Sequence, residues 1–204
     1  PLRRARVERF DAAGASARRA PSSPFRVLVF GGSQGAKQIN DAIVAALPEL
    51  AQLPVTFFHQ TGERDRDRVE AAYREAGVEA TVVAFERDMP ARYAWADVAV
   101  CRAGAITVAE LALSGLPSIL VPYPFAADDH QTANARALEE AGAALRVDSR
   151  ALDPDAIVEA LCRWFEKPDE LVAMGRAARS IARPSAAADV IDACTRRLRA
   201  GAAS

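Results

Sequence analysis

The 204-residue sequence is poor in cysteine and histidine and lacks long apolar runs. No hydrophobic stretch approaches the ~20 residues of a membrane-spanning helix, and the first residues do not form the pattern of a signal peptide. Its cysteines, Cys101, Cys162 and Cys194, are far apart and show neither metal-ligand nor disulfide spacing, which favours a reducing cytosol. The net charge of -1 gives no overall bias toward nucleic acid or anionic membranes, so we expect no nucleic-acid partner.

The length predicts one well-buried domain with short appendages. Residues 1–24 carry many Arg and Ala, show no sustained apolar periodicity and end in Pro21-Ser22-Ser23-Pro24, which is typical of an interdomain linker. We expect the domain itself over residues 25–183, and a C-terminal helix and tail over residues 184–204.

Short apolar runs alternate with helical patterns from Phe25 onward. Continuous Val-rich runs are typical of strands buried on both faces, and hence of a parallel sheet covered by helices. The rhythm predicts an α/β class, a Rossmann-like doubly wound parallel sheet that binds its ligands at the carboxyl ends of the strands. The predicted strands are Val27–Phe30, Val55–Phe58, Thr81–Phe85, Val98–Cys101, Ser118–Val121 and Ala144–Val147.

A glycine-rich loop, GGSQGA at residues 31–36, joins the first strand to a helix. Glycines let the backbone turn tightly, and the helix N-terminus offers free N–H groups with a partial positive charge. This combination suits a diphosphate. The spacing matches neither the dinucleotide fingerprint nor a P-loop, so a tight turn without a ligand stays an alternative.

A second glycine-containing loop follows the strand that ends at Cys101 and opens another helix. Its N–H groups would face the same edge of the sheet. Thr107 and Glu110 have capping-box spacing, in which the Glu serves only the helix backbone. The alternative is that the Glu110 carboxylate binds both hydroxyls of a ribose. Spacing alone leaves these two interpretations open.

The third polar segment runs from Pro122 into a helix that starts near His130. Asp128, Asp129 and His130 are adjacent and cannot easily converge on one ion, so we expect a solvated helix start and no metal. Gln131 and Asn134 lie on one helix face at i, i+3. Their amides would either read sugar hydroxyls or face solvent.

Taken together, four motifs resemble the C-terminal domain of the MurG family, the transferases that convert lipid I to lipid II in peptidoglycan synthesis. The resemblance runs from about Phe25 to the C-terminus. The motifs, in order, are GGSQGA at 31–36, AWAD at 94–97 leading to CRAGA at 101–105, TVAE at 107–110, and GLP at 115–117 leading to Val121-Pro122 with Gln131 and Asn134 beyond.

The resemblance implies a GT-B glycosyltransferase whose C-terminal half grips UDP-N-acetylglucosamine without a cofactor. Ser33 and its loop would contact the diphosphate, and Glu86 would offer its backbone to uracil. Glu110 would bind the ribose, Gln131 would read the N-acetylglucosamine, and Arg3 would approach from the interdomain segment. The full set of implied donor-binding positions is Arg3, Gly32, Ser33, Gln34, Glu86, Ala105, Ile106, Thr107, Val108, Ala109, Glu110, Gln131 and Asn134.

The family's N-terminal domain, which carries the acceptor site, the catalytic-base candidate and the membrane-facing patch, is not in this sequence. Transfer needs acceptor, base and donor held together, so we expect no catalytic residue here. The resemblance places the full-length inverting transferase in the cytoplasm, peripheral on the cell membrane, with lipid I and the membrane met through that other domain. Two alternatives are a UDP-N-acetylglucosamine 2-epimerase-like domain and a non-catalytic donor-binding subunit of a two-chain transferase.

Overall fold

The computed structural model describes residues 4–15, 21, 23–32, 36–126, 129–148, 150 and 152–201. Within these residues one parallel sheet has the strand order β3-β2-β1-β4-β5-β6, and all five strand pairs are parallel. The predicted α/β doubly wound fold is therefore confirmed. The strands are β1 Phe25–Phe30, β2 Val55–Gln60, β3 Glu79–Val83, β4 Val98–Cys101, β5 Ser118–Leu120 and β6 Ala144–Arg146.

Both faces of the sheet are buried, which explains the continuous apolar runs of its central strands. In β1, Val27 and Val29 join one hydrophobic cluster, whereas Leu28 and Phe30 join the other. This alternation is the two-residue period of a strand, with both faces covered by helices.

Two layers of helices supply that cover. Helices α2, α3, α7 and α8 contribute to the first cluster, and α1, α4, α5 and α6 contribute to the second. The helices are α1 Arg4–Ala15, α2 Lys37–Leu50, α3 Arg66–Ala76, α4 Met89–Trp95, α5 Ala105–Ser114, α6 His130–Glu140, α7 Pro154–Glu166, α8 Pro168–Ser180 and α9 Ala186–Gly201.

Helix α4 has no counterpart among the sequence expectations, because a helix of seven residues is too short to show a periodicity. Its start nevertheless has a chemical signature. The Asp88 side chain accepts a hydrogen bond from the Ala91 N–H, and Pro90 lies in the first turn. Both features are typical of helix N-termini.

The segment predicted as an interdomain linker, residues 1–24, contains a helix that packs on the domain. Residues 4–15 form α1, which packs on α4 and α5. Phe10 is fully buried, and its ring lies edge-on to that of Tyr93 at a centroid distance of 5.0 Å. An ion pair of 2.6 Å also joins Arg179 to Asp11. Among the α1 side chains that the structure describes, at residues 7–12, Phe10 is the buried one, and one buried side chain leaves no periodic pattern in a sequence.

Helix α9 lies within the predicted C-terminal segment. It leaves Val190 and Ile191 more than half exposed. Over the described ranges, no helix combines the length and the apolar character that crossing a bilayer requires.

If α1 belongs to the domain, Phe10→Ala will lower the free energy of unfolding by about 3–5 kcal/mol, the usual range for truncating a buried Phe. Denaturant unfolding measures the change. Val190→Ala on the exposed face of α9 is the control and should cost less than about 0.5 kcal/mol. A Phe10→Ala variant as stable as the wild type would restore the linker interpretation.

Candidate donor-binding site

A cleft of about 1370 Å³ opens at the carboxyl edge of the sheet, where β1 lies beside β4. The strand order reverses between these two strands, and such a switch point leaves a crevice between loops that turn to opposite faces. The first turns of α2 and α5 and the loop after β5 form its walls. Its lining residues are Phe30, Gly31, Gly32, Ala36, Lys37, Gln38, Asp41, Arg102, Gly104, Thr107, Tyr123, Pro124, Phe125, Gln131 and Arg150.

The first residue of the loop after β1 comes too close to the start of α2 to carry a side chain, and the second has a backbone conformation that favours glycine. A Cβ at Gly31 would lie 2.2 Å from the Cβ of Ala36, and Gly32 has a φ of +94°. Helix α2 starts at Lys37, directly after its N-cap Ala36, whose side chain makes no hydrogen bond to the helix. Ala36 therefore does not occupy the first-turn N–H groups, which can bind an anion in the cleft.

Three of the predicted donor-binding residues cannot be placed. Arg3, Ser33 and Gln34 lie outside the described residues. Their roles stay predictions.

The loop after β4 repeats this arrangement on the other side of the cleft. Helix α5 begins at Ala105, its N-cap is Gly104, and the cap again makes no side-chain hydrogen bond. Thr107 lies in the first turn and lines the cleft. Since Thr107 is not the N-cap, the capping-box interpretation of Thr107 and Glu110 is wrong.

The predicted stretch 105–110 does not face the cleft as a whole, because consecutive residues of a helix point in different directions. The Thr107 side chain lines the cleft. Ala105, Val108 and Ala109 line a separate groove, and Ile106 is 60% exposed. Side-chain contact with phosphate is therefore restricted to Thr107 within the 105–109 segment, and the other four residues could contribute through their backbone N–H groups.

Glu110 is not among the residues that line the cleft. The residue is only 3% exposed, and the Tyr93 hydroxyl donates to its Oε2 at 3.4 Å. Burial, together with the charge of Glu110, raises the pKa of Cys101, the last residue of β4. A ribose could reach Glu110 only if the side chain turned outward, so this role stays a prediction.

Glu86 lies in the loop between β3 and α4, and its side chain is used inside the protein. Its Oε1 accepts from the Asp88 N–H at 2.7 Å, and its Oε2 accepts from Arg92 Nε at 2.7 Å. Burial favours the neutral acid, but these two donors outweigh it and lower the pKa of Glu86. The Glu86 N–H donates to Gln60, so a role for this backbone in binding a base would fall to the carbonyl, and the charged side chain is compatible with it.

Gln60, the last residue of β2, connects the glycine-rich loop to the loop of Glu86. Its Nε2 donates to the Gly32 carbonyl at 2.8 Å, and its Oε1 accepts from the Glu86 N–H at 3.0 Å. The residue is 3% exposed. The sequence analysis did not single it out. The available signal was a polar residue at the end of an otherwise buried strand.

The two amides of α6 differ in what they leave free for a ligand. Gln131 lines the cleft, and its Oε1 accepts from the Tyr123 N–H at 3.0 Å. This contact orients the amide so that its N–H₂ group is the part available to a sugar. Asn134 instead donates through Nδ2 to the Ala103 carbonyl at 3.0 Å, so it holds the loop before α5.

Arg102 provides a cation at the floor of the cleft, a second residue that the sequence analysis did not assign. Its Nη1 donates to the carbonyls of Val121 and Pro122, both at 3.1 Å, and its Nη2 donates to Gln38 Oε1 at 3.1 Å. All three acceptors are neutral. Burial lowers the pKa of Arg102, but a guanidinium remains charged, so Arg102 adds a positive charge to the lining of the cleft.

Comparison with known proteins decides the family. The Glycosyltransferase family 28 C-terminal domain matches residues 26–191. The sequence is 49% identical over 175 residues to the UDP-N-acetylglucosamine--N-acetylmuramyl-(pentapeptide) pyrophosphoryl-undecaprenol N-acetylglucosamine transferase of Nitratidesulfovibrio vulgaris (strain DSM 19637 / Miyazaki F), covering 82% of this chain and 46% of that protein. The chain belongs to the MurG family of glycosyltransferases. The corresponding protein of Stutzerimonas stutzeri is 48% identical over 83% of this chain and 48% of its own length.

Solved structures agree with this membership of the MurG family. The crystal structure of Acinetobacter baumannii MurG superposes with a TM-score of 0.79 at 36% identity, covering 88% of this chain and 54% of that one. The calicheamicin glycosyltransferase CalG4, at 20% identity and a TM-score of 0.58, shows the shared fold. The chain spans about half the length of the curated MurG relatives that it matches.

A buried polar network lies behind the glycine-rich loop of this MurG-family domain. Asn40, one turn into α2, donates through Nδ2 to the Thr61 carbonyl at 3.0 Å and to Asp65 Oδ2 at 2.8 Å. Its Oδ1 must then accept from His59 Nε2, 3.0 Å away, which leaves His59 Nδ1 to accept from the Tyr73 hydroxyl at 3.1 Å. The network fixes His59 as the neutral Nε2–H tautomer and ties α2 to β2 and α3.

This network predicts acid sensitivity. Burial lowers the pKa of His59 from 6.5 to about 3, so between these values the unfolded chain binds more protons than the folded one. Stability is therefore complete above pH 6.5 and declines as the pH falls. We expect the free energy of unfolding to drop by about 1 kcal/mol between about pH 7 and 5.5, as measured by denaturant unfolding.

His59→Gln is the control for this prediction, because it keeps one donor and one acceptor but does not titrate. We expect the variant to show a flatter dependence over the same pH range, whatever its absolute stability. His130 is present in both proteins and cancels in the comparison. Equal slopes would show that His59 does not cause the loss.

Proposed function

We propose that this chain holds UDP-N-acetylglucosamine as the donor half of an inverting transferase that converts lipid I to lipid II in peptidoglycan synthesis. The observation that carries the proposal is the pair of helix N-termini, those of α2 and α5, that meet across one cleft at the switch point of the sheet. The MurG relatives support it, since they are N-acetylglucosamine transferases that act on UDP-N-acetylglucosamine and N-acetylmuramyl-(pentapeptide) pyrophosphoryl-undecaprenol.

The electrostatics of the cleft favour a diphosphate. Each helix N-terminus carries a partial positive charge of roughly half a unit, and Arg102 and Lys37 add full charges to the lining. Asp41 partly offsets this, since it pairs with Lys37 at 2.6 Å. Donors of this kind neutralise a diphosphate without an ion, so we propose that binding needs no metal.

The remaining parts of the donor would lie to either side of the diphosphate. The base would meet the backbone near Glu86, beyond the glycine-rich loop, and the ribose would meet Glu110 after its side chain turns outward. The N-acetylglucosamine would meet the Gln131 amide, whose N–H₂ group has no hydrogen bond to the described residues and suits a hydroxyl or acetamido oxygen.

Transfer itself would need the other half of the transferase, on the same polypeptide or on a separate chain. That half would hold lipid I and the general base, and would keep the assembled enzyme on the cytoplasmic face of the membrane. The chain by itself would then bind donor without transferring sugar, since positioning of the reactants supplies several kcal/mol of the catalytic effect.

Isothermal titration calorimetry with UDP-N-acetylglucosamine, UDP and NAD tests the proposal. We expect binding of the two uridine nucleotides, undiminished by EDTA, because helix termini and Arg102 replace an ion. NAD is the control for a generic dinucleotide fold and should not bind. Absence of heat with UDP, or its loss in EDTA, would contradict the proposal.

A second prediction concerns Gln131. Gln131→Ala should weaken UDP-N-acetylglucosamine by about 1 kcal/mol, the net value of one hydrogen bond, and leave UDP unchanged, because the amide would meet only the sugar. Gln52→Ala, an exposed Gln outside the cleft, is the matched control and should change neither affinity. An equal loss for both ligands would instead place Gln131 near the nucleotide, or show that its contact with Tyr123 shapes the whole cleft.

A further inference from the structure

One buried amide spans the two loops that the proposed donor would contact at opposite ends of its nucleotide. The Gln60 side chain bonds the Gly32 carbonyl on one side and the Glu86 N–H on the other, at 2.8 and 3.0 Å. Both partners are backbone groups of irregular segments, and neither bond belongs to the ladder of the sheet.

The loop of Glu86, at one end of the Gln60 bridge, is attached to the sheet by further bonds. Beyond the ends of β2 and β3, backbone bonds continue from the Thr61 N–H to the Val83 carbonyl at 3.0 Å and from the Gly62 N–H to the Ala84 carbonyl at 3.1 Å. Glu86 is also held from its other side by Arg92. The loop of Glu86 is thus fixed to the sheet, and Gln60 extends that fixed frame to Gly32.

Few side chains could replace this amide. The bridge needs a donor and an acceptor on one planar group, at the length of a Gln side chain. Glu in its ionised form could accept from Glu86 but would face the Gly32 carbonyl with a second acceptor. Asn has the same groups and lacks one methylene, so it could not reach both partners at once.

We infer that Gln60 is a positioning residue that sets the separation between the diphosphate loop and the base loop, an inference that rests on the proposed function. A ligand with two linked parts gains affinity when both subsites are held at the spacing of its linker. The affinity of either part alone does not depend on that spacing. Gln60 therefore contributes to the joint recognition of base and diphosphate without itself touching either.

The test compares one linked ligand with its separate parts. Gln60→Met keeps the length of the side chain and removes both hydrogen bonds. We expect about tenfold weaker binding of UDP, with the affinities of uridine and of pyrophosphate each within about twofold of the wild type. NMR titration suits all three ligands, because it measures weak as well as tight binding. Gln60→Asn should give the same pattern and covers the case in which the Met variant does not fold.

Thr61→Val is the matched control. Thr61 is the next residue, it is equally buried, and its hydroxyl bonds only the Gly62 and Val83 carbonyls among the contacts that the structure shows. It should leave all three affinities unchanged. The same selective loss in Thr61→Val would overturn the inference, since any polar deletion at this strand end would then suffice.

Two results with Gln60→Met and Gln60→Asn would also overturn it. An equal loss for UDP, uridine and pyrophosphate would show a general structural role, and unchanged binding of UDP would show that the spacing does not depend on the bridge. Failure of the wild type to bind UDP contradicts the proposed function and the inference with it. Wild-type binding without the selective loss contradicts the inference alone.

Discussion

The site depends on one constraint, that a parallel sheet buried on both faces sends all its strand-to-helix loops to the same edge. With the order β3-β2-β1-β4-β5-β6, the loops after β1 and β4 turn toward opposite helix layers and separate at that edge. The helices that follow each of these strands point their N-termini back into the gap. An anion site therefore arises from backbone geometry before any particular side chain is considered.

The parts of this arrangement that depend on backbone could be predicted from the sequence. Val-rich runs indicated strands buried on both faces, and the glycine-rich segment after β1 indicated a turn that only Gly can make, as the 2.2 Å approach at Gly31 shows. Pattern and turn chemistry are local properties, so a single sequence contains them. The family motifs then added the identity of the ligand class, which no periodicity could supply.

The parts that depend on three-dimensional contacts between distant residues could not be predicted. Glu110 had two interpretations because its spacing from Thr107 fits a capping box if the helix begins directly after Thr107. The sequence does not fix that start, and the observed start after Gly104 excludes the capping box. Helix α1 escaped prediction because its attachment rests on contacts with residues far along the chain, such as the packing of Phe10 on Tyr93 and the ion pair of Asp11 with Arg179. Gln60 escaped because its partners, Gly32 and Glu86, are 28 and 26 residues away.

Neutral amides hold the loops around this cleft, and the reason is electrostatic as much as geometric. Gln60, Gln131 and Asn134 each bond backbone groups of segments outside the sheet ladder, which supply the hydrogen bonds that irregular backbone lacks. A carboxylate could accept such bonds but would oppose a diphosphate nearby, and an ammonium or guanidinium offers no acceptor. Amides provide both functions without adding charge, so the potential in the cleft is left to the helix termini and to the charged side chains of the lining. A polar residue at a strand end or on a helix face of such a domain therefore indicates loop support as readily as ligand contact, and Gln131, which bonds Tyr123 and lines the cleft, combines the two.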